Sequence, residues 1–244
     1  MLNKKSGQVI LILAGLSFGV FSCSNNSTVQ EEQLNYIEPP AGEGSSLPFL
    51  FSNEGAILLS WVERKGDTSS LKYASLKEER WSDPIEVISG KDWFVNWADF
   101  PAITQNKDRI LSHILKKSSG GTYSYDVKLN LSDSEGIPLK KDFQLHTDGT
   151  YTEHGFVSML PYKENSFFVT WLDGRNTVGG EHGVGGHQGA MSIRAAEVSD
   201  MGAILNEISL DERVCDCCQT TAAITDKGPV VIYRDRSDEE IRDM

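Results

Sequence analysis

The stretch "SMLPYKENSFFVTW", Ser158 to Trp171, reads as a short apolar strand, a polar turn and a second strand that ends on a large ring. The same pattern recurs as "PFLFSNEGAILLSW" (Pro48 to Trp61), "PAITQNKDRILSH" (Pro101 to His113) and "TAAITDKGPVVIY" (Thr221 to Tyr233). The closing rings of these four segments are separated by 52, 58 and 62 residues. A repeat of this length points to a solenoid or a propeller, and a strand-rich one favours the β-propeller blade.

The sequence between the matched segments supplies two further strands per unit. "SLKYASL" and "PIEVI" follow Trp61, "TYSYDVKLNL" and "IPLKKDFQL" follow His113, and "AMSIRAAEV" and "AILNEI" follow Trp171. They are β-rich or alternate with period two, and no segment beyond the N-terminal apolar run carries a helical period. The expectation is an all-β propeller domain over 45–244 built from four-stranded antiparallel blades. About three and a half blades are present, and the chain is expected to continue into a longer protein of six.

In such a blade the strands alternate direction. The link from one blade to the next therefore shares a face with the loop between strands two and three. The unusual residues fall there. The links are "GKDWFVNWADF" (Gly90 to Phe100), "HTDGTYTEHGF" (His146 to Phe156) and "DERVCDCCQT" (Asp211 to Thr220). The two-to-three loops include "DGRNTVGGEHGVGGHQG" (Asp173 to Gly189) and "RDRSDEE" (Arg234 to Glu240). Plain turns such as "SNEG" and "SDSEG" go to the opposite face. Loops on a rigid scaffold are where binding and catalysis concentrate, so one face is expected to carry a site near the central axis.

Outside the repeat, Lys4 and Lys5 precede an apolar run, Val9 to Phe21, that is too short to span a bilayer of ~30 Å comfortably. Residues 1–22 read as a secretory signal. The ending "VFSC" resembles a bacterial lipobox, which makes Cys23 the lipidated first residue of the mature chain and residues 23–44 a tether. The expected location is the cell envelope, with the membrane reached through the lipid anchor. Without the two signal lysines, 21 basic residues face 35 acidic ones, a balance that argues against nucleic acid as a partner.

The blade repeat, with the turns "LSDSEGI" (Leu131 to Ile137) and "VSDMGAI" (Val198 to Ile204), resembles eroded Asp-boxes of sialidase-like, BNR-repeat propellers. Ser134 stands where that box has Asp, and no Trp follows. The resemblance implies a glycoside hydrolase or carbohydrate-binding propeller whose ligand is sialic acid, another acidic glycan or an acidic small molecule. No cofactor is implied. Three arginines hold the substrate carboxylate in that family, and Arg175, Arg234 and Arg236 are the candidates here, because guanidinium forks match a carboxylate. Asp99 and Glu153 are the candidate catalytic carboxyls. Trp93 and Trp97, beside Asn96, suit a sugar subsite of stacking rings and hydroxyl-reading amides.

Two other readings stay open. His154, His182, His187 and the cysteines can converge into a zinc or copper site, and a non-catalytic interaction scaffold is the remaining class. An exported compartment favours a disulfide in "CDCC", either Cys217 with Cys218 or Cys215 with Cys218.

Overall fold

A computed structural model describes residues 35–177 and 189–243. The leader, Cys23, His182 and His187 lie outside the described residues. The domain is all-β, and its strands fall into successive antiparallel sheets that are the blades of a propeller.

The first blade runs β1 (Ser45–Asn53), β2 (Ala56–Lys65) and β3 (Thr68–Lys77), and closes with β4 (Arg80–Trp81) and β5 (Ile85–Gly90), which both pair with β3 as one interrupted outer strand. The second is β6 (Ile103–Asn106), β7 (Arg109–Lys117), β8 (Tyr125–Asp133) and β9 (Pro138–Gln144). The third is β10 (His154–Tyr162), β11 (Ser166–Asp173), β12 (Met191–Ser199) and β13 (Ile204–Val214). The fourth contributes β14 (Thr221–Thr225) and β15 (Gly228–Ile232). The strand pairs read from the repeat are β1–β2, β6–β7, β10–β11 and β14–β15, each a direct hairpin.

Period-two alternation gives each sheet two apolar faces, and these faces pack against the next blade. Leu111, Leu115, Val127, Leu129 and Leu131 of the second blade meet Phe167, Val169, Trp171, Ala196 and Val198 of the third in one cluster. Phe51, Leu58 and Tyr73 meet Ile103 and Ile110 between the first and second. The rings that close the repeated segments serve this packing, since Trp61 and Trp171 are fully buried. Full burial of one large apolar side chain is worth about 1.5–3 kcal/mol, so these layers hold the blades in register.

The turns of the opposite face show how the eroded boxes still work. The Asp133 carboxylate accepts from the backbone N–H of Glu135 at 3.0 Å and of Ile137 at 2.8 Å, while Gly136 takes a φ of 85°. Bracing therefore comes from Asp133, one position ahead of Ser134. The equivalent turn uses the Ser199 hydroxyl, which accepts from Met201 and Ala203.

Candidate functional site

The first strands of the blades line the axis. They enclose a groove of about 270 Å³ whose wall includes Phe49, Ile103, Val157 to Leu160, Thr221 and Ala222. The link before β6 adds Asp99 to that wall, and the link before β14 adds Gln219 and Thr220. Each of these links belongs to the face on which the loops were expected to gather. They are tied together as well: Gln219 donates its side-chain N–H to the Ala98 carbonyl at 2.7 Å, and the Thr220 hydroxyl donates to the Phe156 carbonyl at 2.8 Å.

Asp99 and Glu153, 54 positions apart in the chain, meet at the Tyr125 phenol. The phenol oxygen lies 2.6 Å from Glu153 Oε1 and 3.3 Å from Asp99 Oδ2. Both carboxyl oxygens bond one atom, so they stand within about 6 Å of each other. Asp99 Oδ1 accepts from the Phe156 backbone N–H at 2.8 Å. Phe94 stacks on the Tyr125 ring with centroids 4.2 Å apart and backs the cluster. Position 155 is a glycine at a close approach, because a Cβ there would collide with the Asp99 carboxylate.

Burial decides the electrostatics. Asp99 is 3 % exposed, and desolvation pushes its pKa up to about 7. The Phe156 N–H pulls the other way and the nearby Glu153 charge adds to the rise. Tyr125, with no exposed surface, is raised well above the ordinary phenol range, chiefly by burial and by the two carboxylates. It therefore keeps its proton. One phenol proton serves one acceptor, and the shorter contact assigns it to Glu153. A protonated Asp99 completes the chain by donating to the Tyr125 oxygen. Of the three groups, Asp99 is the one that forms part of the groove wall.

Behind this trio a second buried cluster clamps the second blade to the third. His146 and His154 stack with centroids 3.7 Å apart. Asp148 lies 2.6 Å from His146 Nδ1 and 3.3 Å from His154 Nε2, and Asp173 lies 3.6 Å from His154 Nε2. Burial opposes the imidazolium of His154, but Asp148, Asp173 and Asp126 outweigh it and raise its pKa. Asp173 is fully buried, and its desolvation is offset by a bidentate pair with Arg175 at 2.7 Å on both oxygens and by the Trp171 indole N–H at 2.8 Å. Two donor sets, Asp126 with His146 and His154, and Asp148 with His154 and Asp173, have ligand atoms close enough to hold a cation. His146 and Asp148 sit in the same link as His154, but their residue types alone do not single them out from the sequence.

The remaining site candidates are distributed as follows. Trp93 is buried against Leu71 and Ile114, so its ring plugs the gap between two blades and offers no face to a sugar. Trp97 is 82 % exposed. Asn96 shapes the link, its Oδ1 accepting from the Ala98 N–H at 2.8 Å. The three arginines are each engaged by groups of their own. Arg175 is held by Asp173 and Glu207, and Arg236, largely buried, by Glu240 at 2.9 and 3.0 Å. Arg234 donates to the Arg242 carbonyl and to Cys218 Sγ. Each guanidinium has a local partner in this arrangement. The three thiols are unbonded, with Cys215 Sγ 3.6 Å from Cys217 Sγ and 3.5 Å from Cys218 Sγ.

No known protein family and no curated protein matches the chain. Solved structures do. The fold is similar to that of the Penicillium chrysogenum α-L-arabinanase complexed with arabinobiose, with a TM-score of 0.52 and 16 % identity over 76 % of this chain and 58 % of that one. Weaker likenesses include the GH93 α-L-arabinofuranosidase of Fusarium graminearum (TM-score 0.45, 14 % identity, 78 % and 52 % of the two chains) and the GH43 endo-arabinanase of Bacillus licheniformis (0.42, 11 %, 82 % and 77 %). The chain thus spans 58 % of the length of the Penicillium enzyme. The likeness to the Penicillium enzyme shows a β-propeller fold and is not specific to sialidases.

Proposed function

We propose that this chain binds carbohydrate in the axial groove and that Asp99 delivers a proton to the leaving oxygen when a glycosidic bond is cut there. One observation carries the reading: a carboxyl on the groove wall is desolvated enough to hold its proton near pH 7, which is the state a general acid needs. Tyr125 and Glu153 are positioning residues in this account. Tyr125 is sealed from the groove, so a sugar carbon cannot reach its oxygen; it holds the Asp99 carboxyl in place, and the Asp99 proton turns from the Tyr125 oxygen to the groove when a leaving oxygen is bound there. A propeller fold similar to that of an arabinanase supports a saccharide as the ligand class. Commitment of Arg175 and Arg236 to their own carboxylates favours a neutral sugar over an acidic one. The short apolar leader and Cys23 support an exported, lipid-anchored chain.

The test is a panel of aryl arabinofuranosides and sialosides, read as aglycone release, alongside a glycan array. The expected result is binding of neutral saccharides, weakened about tenfold in Trp97→Ala through loss of an exposed stacking ring. Any hydrolysis should fall as pH rises through 7 and drop about 10²–10⁴-fold in Asp99→Asn. Retention of sialosides alone would refute the neutral-sugar reading, and no retention of any glycan would refute the whole.

A further inference from the structure

The three cysteines are not absorbed by the groove chemistry. Cys215 is buried just beyond the end of β13, Cys217 is exposed and Cys218 lies between these extremes. Their sulfurs lie within 4.8 Å of one another, at 3.6 Å for Cys215 with Cys217 and 3.5 Å for Cys215 with Cys218. A disulfide needs about 2.05 Å, so none of the pairs is in bonding position. Metal–sulfur bonds of about 2.3 Å set sulfur–sulfur separations of about 3.8 Å at a tetrahedral centre and about 4.0 Å at a trigonal one. The trio therefore needs only a small adjustment to bind one ion.

Two cations already face these sulfurs. Arg242 donates to Cys215 Sγ at 3.5 Å, and Arg234 donates to Cys218 Sγ at 3.7 Å. The backbone holds Arg234 near the loop, because the Cys215 N–H donates to the Arg234 carbonyl at 2.9 Å. Asp216, the carboxylate between the cysteines, is paired with Arg242 at 3.3 Å. No histidine or carboxylate among the described residues completes the trio into the four-ligand set that zinc prefers. Soft thiolates select copper(I), which is content with three sulfurs. Three thiolates around one monovalent ion carry two negative charges, which Arg234 and Arg242 offset in part, Arg242 being shared with Asp216.

We propose that Cys215, Cys217 and Cys218 form a three-thiolate site for a single copper(I) ion, with Arg234 and Arg242 facing its negative charge. Binding exchanges thiol protons for the metal and releases them to solvent; the copper is neither oxidised nor reduced. The site stands at the rim of the groove, since the next residue, Gln219, holds the Asp99 link through Ala98. It does not depend on the carbohydrate reading.

The test titrates the reduced protein anaerobically with copper(I) against a chromophoric copper(I) chelator, with zinc in a parallel competition. The expected result is one copper per chain, three sulfurs and no nitrogen or oxygen in the X-ray absorption shell, and preference for copper(I) over zinc. Cys217→Ser, at an exposed position that leaves the fold intact by circular dichroism, should weaken retention by more than about 100-fold. Sub-stoichiometric copper in the wild type, an oxygen or nitrogen ligand, tighter zinc binding, or unchanged affinity in Cys217→Ser would each overturn the proposal. Glycan binding is measured on the same samples, so failure of one site is told apart from failure of the other.

Discussion

Replacing Asp99 by asparagine isolates the energetic consequence of burying that carboxyl. The amide keeps an oxygen for the Phe156 N–H, which the carboxyl holds at 2.8 Å, and offers an N–H to the Tyr125 oxygen as the protonated acid does. It removes only the ability to ionise. In the wild type the native pKa of about 7 lies above the ordinary 3.8, so the folded chain binds this proton more tightly than the unfolded one. The stabilisation is complete below the ordinary value of 3.8 and is lost progressively as pH rises through 7. A rise of that size corresponds to about 4 kcal/mol. Urea unfolding at pH 4, 6 and 8 should show the Asp99→Asn variant close to wild type in acid and more stable than it by up to about 4 kcal/mol at pH 8. A wild-type-minus-variant difference that stays flat from pH 4 to 8, or that favours the wild type in base, would show that burial does not raise the Asp99 pKa.

Three further outcomes follow from the same contacts. Tyr125→Phe leaves the buried Glu153 without the donor 2.6 Å away and should cost about 1–3 kcal/mol in urea unfolding. Gly155→Ala puts a methyl group where the Asp99 carboxylate lies; beyond lowering the urea midpoint, it should shrink the stability gap at pH 8 between the wild-type and Asp99→Asn backgrounds. Arg175→Met strips the fully buried Asp173 of its bidentate partner and should destabilise by about 3–5 kcal/mol, with Arg175→Lys recovering only part because an ammonium cannot fork.

The blades are legible in the sequence because the repeat couples two signals, alternation and a closing ring, and both report the same burial between sheets. Trp61 and Trp171 are fully buried for that reason. The face is legible too, since strand direction alone sorts the loops, and Asp99, Glu153 and the cysteine link all come to it. Pairwise encounters are not. Tyr125 opens β8, where an aromatic reads as one more apolar residue of the alternation, and nothing local announces a phenol between two carboxyls from other links. Trp93 and Trp97 share a link and a residue type, yet one is 8 % exposed and the other 82 %, because only the neighbouring blade decides which ring fills a gap. The arginines show the reverse case. Asp173 stands two residues before Arg175 and Glu240 four after Arg236, so local pairing is available from spacing, beside the anion cradle that the resemblance implies.

Asp99 is expected to keep its proton up to a pH near 7, on a groove wall proposed to contact sugar. Carbon-13 NMR of the labelled Asp99 carboxyl, titrated from pH 4 to 9 with and without a neutral arabino-oligosaccharide, tests it most directly. The expected result is a midpoint near 7 that moves when the saccharide is added. A midpoint near the ordinary 3.8, or a resonance that ignores saturating sugar, would contradict it.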